Sequence, residues 1–294
     1  TWSQNMWVDG TPSWTGFQID QTGFPIILTS YLVEQGLANY GEFRSMVKHA
    51  ADALVDKGPF TDQERWEENS GISPNSLAIA CQGLIEASWL EKAANNTKLS
   101  KTYSDTCDTW KNTLLTQTFV TKGPLGENYF ERIEADGNPD TGSIFIQNKP
   151  AEGENFRENE IMDGGFLQWI LSGLFAADDW HFKSTLQIYD RVARAPSVGG
   201  MGYLRYNHDA YGLGHHGGAW PLLSGERALA SLLMGEDPQP HVNVLMSSTN
   251  NSEMLCEQSG ISACPLGWAH AAALIVQRSL SDGRSFYIIT HKQR

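Results

Sequence analysis

The sequence predicts an all-α chain of paired helices joined by long, aromatic, glycine-rich loops. Three observations predict it. Apolar residues recur at helical spacing in one segment after another, one later segment is apolar on every side, and the stretches between helices repeat a composition rich in Trp, Gly and acidic residues.

Taken in order, Phe24, Ile27, Leu28, Tyr31 and Leu32 lie at helical spacing, and Gly36 closes the run. Phe43, Met46, Val47, Ala50 and Leu54 repeat the pattern up to Gly58-Pro59, so the two segments form an antiparallel helix pair. Ser73-Pro74 supplies an N-cap followed by proline at the first helical position. Leu77, Cys81, Leu84, Ile85 and Ser88 mark one face of the helix that follows, and a further helix is expected over 100–120. Residues 121–156 break the rhythm. Apolar runs at 129–133 and 143–146 flank a cluster of Gly, Asn, Pro and Asp, which reads as one β-hairpin excursion near 127–148. Helices resume over 160–176, where Phe166, Leu167, Trp169, Ile170, Leu171, Leu174 and Phe175 leave no polar face. Such a helix is buried on all sides, as in the inner ring of a two-layer helical barrel. Segments 186–194, 221–235 and 266–280 supply later helices, and residues 1–294 read as one domain.

Hydrophobic residues make up 40% of the chain, enough for a large core, while the net charge of −13 opposes nucleic-acid phosphates and anionic membrane surfaces. No apolar run approaches the ~20 residues of a membrane helix. The ten tryptophans mostly lie within two residues of Gly, Pro, Asp or Glu, as in Trp7-Val8-Asp9-Gly10 and Ser13-Trp14-Thr15-Gly16. That placement suits a cleft rim better than the ordinary alternative of core packing. The four cysteines lack CxxC spacing. Cys256 with Cys264 could close a short loop and Cys81 with Cys107 could join neighbouring helices; the sequence leaves both pairings open. Two glycosylation sequons, Asn95-Asn96-Thr97 and Asn250-Asn251-Ser252, and an initial Thr suggest a processed protein, secreted or periplasmic.

The most informative stretch is Gln63-Glu64-Arg65-Trp66-Glu67-Glu68-Asn69. A carboxyl group held beside another charge or an apolar ring keeps its proton to higher pH, as a general acid must. A neighbouring Trp offers a flat face for a sugar ring. The ordinary alternative is a solvated helix start with a chance Glu-Glu pair. A second carboxylate, Glu257, lies in the last loop within Met254-Leu255-Cys256-Glu257-Gln258. Other motifs carry less. His208, His215 and His216 cluster near Asp209, but adjacent side chains point apart and no HExxH or cysteine partner is present, so no metal and no cofactor are expected. Ser224 lacks a GxSxG elbow, and the glycines at 199–202 follow no convincing strand.

Six blocks, in order, carry a resemblance. They are Gln4-Asn5 with 8–12 and 14–20; 63–68; Gly71 with Ser73-Pro74; 205–212; 220–227; and Glu257-Gln258 with 265–271. Together they resemble glycoside hydrolase family 15, the glucoamylases and glucodextranases, and most closely its bacterial-type branch. The resemblance implies an (α/α)6 toroid, a six-hairpin barrel. It further implies inverting, exo-acting hydrolysis that releases β-D-glucose from the non-reducing ends of α-glucans. It makes Glu67 the general acid and Glu257 the general base. Trp66, Glu68, Arg205, Gln258 and Trp268 would surround the terminal glucose, and Trp14, Gln18 and Trp220 would line the mouth and inner site. An inverting pair leaves room for a water, with carboxyls roughly 6.5–9.5 Å apart.

Two departures stand out. The family's first helix pair, with a Trp-Pro-Arg-Asp-like loop, and its preceding β-sandwich have no counterpart here. The toroid is therefore expected to be incomplete at its N-terminal end, with a gap or a separate N-terminal fragment completing it. Around Glu257, Cys256 replaces the family's usual proline and Ser259-Gly260 follow, with a shortened link to Trp268. A different class of function, a non-catalytic sugar-binding fragment or subunit, would keep the aromatic cleft without turnover. A helical toroid of unrelated chemistry, such as a terpene-cyclase-like fold, lacks support because Asp-rich metal motifs are missing. Starch-type, isomalto-type and trehalose linkages all remain open.

Overall fold

A computed structural model describes residues 2–14, 16–148, 153–212, 217–259, 262–289 and 291. It divides into two compact units. The first comprises Thr1–Phe119, Ile133–Asn138 and Ile289–Arg294; the second comprises Val120–Arg132 and Pro139–Ile288.

The first unit is built on four helices, α1 (Ile19–Glu34), α2 (Tyr40–Lys57), α3 (Pro74–Ala93) and α4 (Thr97–Gln117). The expected helix pair is present, but α1 buries a different face. Ile19, Thr22, Gly23, Ile26, Thr29 and Ser30 are buried, whereas Phe24 and Leu28 are 51% and 58% exposed. The reason is a close approach of two backbones. A Cβ on Gly23 would stand 2.8 Å from the Ile79 carbonyl oxygen of α3, and one on Gly83 would stand 3.0 Å from the Gly23 Cα. Small residues thus take the contact that a periodicity of large ones suggested. Helix α3 starts at Ser73-Pro74 as expected, although the Ser73 hydroxyl makes no capping bond. It is buried on most sides and is tied to α4 by the Cys81–Cys107 disulfide, with Cα atoms 4.9 Å apart, and by Ser88 to Ser100.

In the second unit, strands β1 (Phe119–Gly123) and β2 (Gly126–Phe130) pair with each other, and β3 (Ser143–Ile146) pairs antiparallel with β4 (Glu154–Arg157). The single hairpin expected near 127–148 is therefore two hairpins. Each strand finds its partner across its own nearest turn, at the lowest loop-closure cost. A further hairpin joins β5 (Arg194–Ser197) to β6 (Gly200–Tyr203). The helix expected over 160–176 shrinks to two 3-10 turns and the short α5 (Leu167–Leu171). Gly164-Gly165 precede it, and Gly173 at φ +74° ends it. Its all-round burial holds, with Phe166, Leu167, Trp169, Ile170 and Leu171 enclosed. Helices α6 (Trp180–Val192), α7 (Pro221–Met234), α8 (Gln239–Ser247) and α9 (Gly267–Asp282) complete the unit. Helix α8 has no forerunner in the sequence reading. Aromatic rings of Phe130, Phe166, Phe182, Tyr189 and Tyr203 form much of the core. No described helix is long and apolar enough to cross a membrane.

Candidate active site

In the first unit the Glu-Glu motif is a closed turn rather than a helix start. Thr61 and Gly71 exchange backbone hydrogen bonds of 2.9 and 3.0 Å at its base. Gly71 has φ +147°, and a Cβ there would lie 2.5 Å from the Glu134 carbonyl oxygen, so only glycine fits. At the heart of the turn sits Glu64, fully buried. Its carboxylate accepts the backbone N–H of Trp66 at 2.8 Å and of Glu68 at 3.3 Å. Its carbonyl accepts the Glu67 N–H at 2.7 Å and the Gln18 side-chain amide at 3.1 Å.

These bonds force Glu67 into the left-handed region, φ +60°. Such a conformation costs an ordinary side chain energy and clusters at functional sites. The Glu67 side chain stands exposed above the turn. The protein surrounding it still withdraws enough water to raise its carboxyl pKa, and the charge of Glu64 adds a smaller push in the same direction. Trp66, read from sequence as a surface aromatic, is buried at 7% exposure, with the Arg65 guanidinium 4.5 Å from its ring centroid. Gln18 is the buried N-cap residue of α1, Glu68 is half-buried, and Trp14 is 53% exposed. The structure thus gathers Gln18, Trp66, Glu67 and Glu68 about one buried carboxylate. A groove of about 1060 Å³ lined by Val33, Tyr40, Trp89, Lys92 and His291 lies at the C-terminal ends of α1 and α3, away from this turn.

The second unit holds the other candidates. Arg205 is buried and grips Asp209 with both arms of its fork, each bond 2.9 Å. Its guanidinium lies 4.5 Å from the Tyr211 ring centroid and 5.7 Å from that of Trp220. Trp220 is buried at the start of α7, where Pro221 takes the first helical position. The loop carrying Glu257 is bracketed by the Cys256–Cys264 disulfide, with Cα atoms 4.3 Å apart. Within it the Glu257 N–H donates to Ala263 O at 2.9 Å, and the Gln258 N–H to Ser262 Oγ at 2.7 Å. The Gln258 amide donates to Tyr211 O at 2.7 Å and packs on Gly212, at φ +120°, where a Cβ would fall 2.1 Å from Gln258 Oε1. Glu257 is half-buried. Burial raises its pKa, opposed by a hydrogen bond with Ser262 and by the positive charge of Arg205. Trp268, at the start of α9, is 43% exposed. His208 stacks on Phe156, with ring centroids 4.7 Å apart; His215 and His216 lie outside the described residues.

Residues 3–258 match the model of glycosyl hydrolases family 15. The chain belongs to this family. It is 34% identical over 289 residues to a glucoamylase of Clostridium sp. (strain G0005), covering 93% of this chain and 40% of that protein. Among solved structures, a bacterial glucoamylase complexed with acarbose superposes at a TM-score of 0.88 with 33% identity, covering 97% of this chain and 44% of the other. A glycosidase variant in complex with glucose shares the fold at a TM-score of 0.74 and 17% identity, covering 96% of this chain and 72% of that one. The family 15 chain thus spans less than half the length of these two glucoamylases, and it shares the helical architecture of the acarbose-bound one.

Sequence reasoning missed Glu64, Asp209 and Gly212. Glu64 was visible as a third acid in the motif, but only the fold reveals that it is the buried one.

Proposed function

We propose that this family 15 chain acts as an inverting, exo-acting glucosidase on α-glucans, releasing β-D-glucose from their non-reducing ends. The observation that carries the reading is the Glu67 turn: a left-handed residue, presented by a buried carboxylate, whose own carboxyl holds its proton above the ordinary range. Its similarity to the Clostridium glucoamylase and to the acarbose-bound bacterial enzyme supports the substrate class.

In this reading Glu67 protonates the glycosidic oxygen as the bond to the anomeric carbon breaks through an oxocarbenium-like transition state. Glu257 takes a proton from the water that attacks the opposite face. Arg205 keeps Glu257 ionised at lower pH than burial alone would allow. Asp209 holds the Arg205 guanidinium in a fixed orientation, and Trp66, Glu68, Arg205, Gln258 and Trp268 stand around the terminal glucose in this reading, with Trp14, Gln18 and Trp220 along the approach. The two disulfides support a secreted or periplasmic location.

The test is product analysis on maltotriose, isomaltotriose and trehalose, with proton NMR of the first minutes of hydrolysis. β-Glucose is expected first; initial α-glucose would mean retention and a different nucleophile. Glu67→Gln is expected to lower kcat by ~10²–10⁴-fold while acarbose binding persists. Acarbose and maltotriose binding without turnover by the unmutated chain would instead establish a sugar-binding protein.

A further inference from the structure

Gln4 belongs to the first of the six sequence blocks but has no role in the reading above. Its side chain is the point where three parts of the first unit meet. Gln4 Oε1 accepts the Gly16 N–H at 2.9 Å, and the fit is close, since a Cβ on Gly16 would stand 2.6 Å from that oxygen. Gln4 Nε2 donates to Gln18 Oε1 at 3.1 Å and also to Gln63 Oε1. Both amide hydrogens are thereby used.

Each recipient continues inward. Gln63 Nε2 donates to the carbonyl of Glu67 at 3.1 Å, and Gln18 Nε2 donates to the carbonyl of Glu64 at 3.1 Å. Two parallel amide chains therefore run from one side chain to the two carbonyls that frame the left-handed turn. The Gln4 backbone N–H donates to Trp14 O at 2.7 Å and closes the hairpin whose Met6 and Pro12 pair. The three glutamines fix one another's amide orientations and leave no slack, because turning any one over sets donor against donor.

We infer that Gln4 is a positioning residue for Glu67. Through Gln63 and Gln18 it holds the backbone of the acid turn and couples it to the hairpin bearing Trp14. This rests on Glu67 being the general acid. Gln4 touches no reacting atom; it acts by setting where the acid's carboxyl stands, and a displacement near 1 Å is enough to cost about a hundredfold in rate.

The experiment compares two substrates in the full chain. Maltotriose needs its leaving group protonated, whereas α-D-glucosyl fluoride departs with little help from an acid. Gln4→Ala is expected to lower kcat on maltotriose about ten- to a hundredfold with KM changed less than about threefold, and to leave kcat on the fluoride within about twofold. Gln63→Met, which keeps length and removes both amide ends, is expected to show the same selective loss and serves alone if Gln4→Ala does not fold. Combined with Glu67→Gln, Gln4→Ala is expected to add no further loss on maltotriose, because residues acting as one unit do not add. Equal losses on both substrates, or additive losses in the combined variant, would overturn the positioning role. Full activity of Glu67→Gln on maltotriose would instead overturn the assignment of the acid, a separate outcome.

Discussion

Replacing Glu67 by asparagine should make the protein more stable and at the same time inactive. The φ of +60° at Glu67 places a long side chain where L-residues are disfavoured by about 1–2 kcal/mol, and Asn recovers part of this by bonding locally. Little is lost in exchange. The Glu67 side chain is exposed and its carboxyl makes no hydrogen bond to any described residue, while the backbone bonds from Glu67 N–H to Glu64 O and from Gln63 to Glu67 O survive the change. The expected gain is about 0.5–1 kcal/mol, or about 1–3 °C in Tm for a chain of this size. Urea unfolding at an unchanged slope, with calorimetry, reads the stability, and maltotriose hydrolysis reads the loss, ~10²-fold or more. Glu67→Gln is the control, with the same loss of turnover and no stabilisation, since it keeps both the strain and the length. A Glu67→Asn protein less stable than its parent, or one keeping more than about a tenth of its kcat, would refute the idea that the strain is kept for presenting the acid.

Further outcomes concern the proposed catalytic carboxyls, a buried aspartate of α1 and the longer disulfide. In the rate profile, kcat/KM should fall as pH rises through the raised pKa of Glu67 and as pH falls through that of Glu257. Arg205→Met should move the acidic limb upward by removing the charge that favours ionised Glu257, and should cost about 3–5 kcal/mol by stranding the buried Asp209. Asp20 is buried beside Ser76, and its carboxyl is raised from 3.8 to about 6 by burial. Because the folded state then holds the proton more tightly than the unfolded one, stability should fall as pH rises from 4 to 6, by about 3 kcal/mol; Asp20→Asn should flatten that slope in urea titrations. Removing the Cys81–Cys107 bridge as a double Ala variant should lower stability by about 3.5 kcal/mol, given its sequence separation of 26.

The helices were legible because their apolar spacing is strong, and the family blocks were legible because they are contiguous. What escaped was whatever depends on two segments meeting. The face of α1 could not be read from Phe24 and Leu28, because the deciding residues are Gly23 and Gly83, whose signal is the lack of a side chain. The pairing of 126–130 with 119–123 could not be told from pairing with 143–146 on strand propensity alone. The helix over 160–176 failed at glycines outweighed in the reading by a run of large apolar residues. At the site, the types and order of Glu67, Arg205 and Glu257 were readable. The burial of Glu64, the turned-in Trp66 and the Asp209 grip on Arg205 needed the fold, since each is set by residues that no periodicity links.

The disulfide from Cys256 to Cys264 spans only eight positions and has Glu257 as its first enclosed residue. So short a ring adds less to global stability than the longer one, about 2.5 kcal/mol on the same entropic reckoning. Its weight falls on timing. A flexible loop must be ordered afresh at each encounter with a sugar, and that entropy is subtracted from affinity every time. A loop closed by a covalent bond is ordered once, when the thiols are oxidised. The competence of the proposed base is therefore decided during maturation, and a host that keeps thiols reduced would be expected to yield folded protein with a loose second carboxylate.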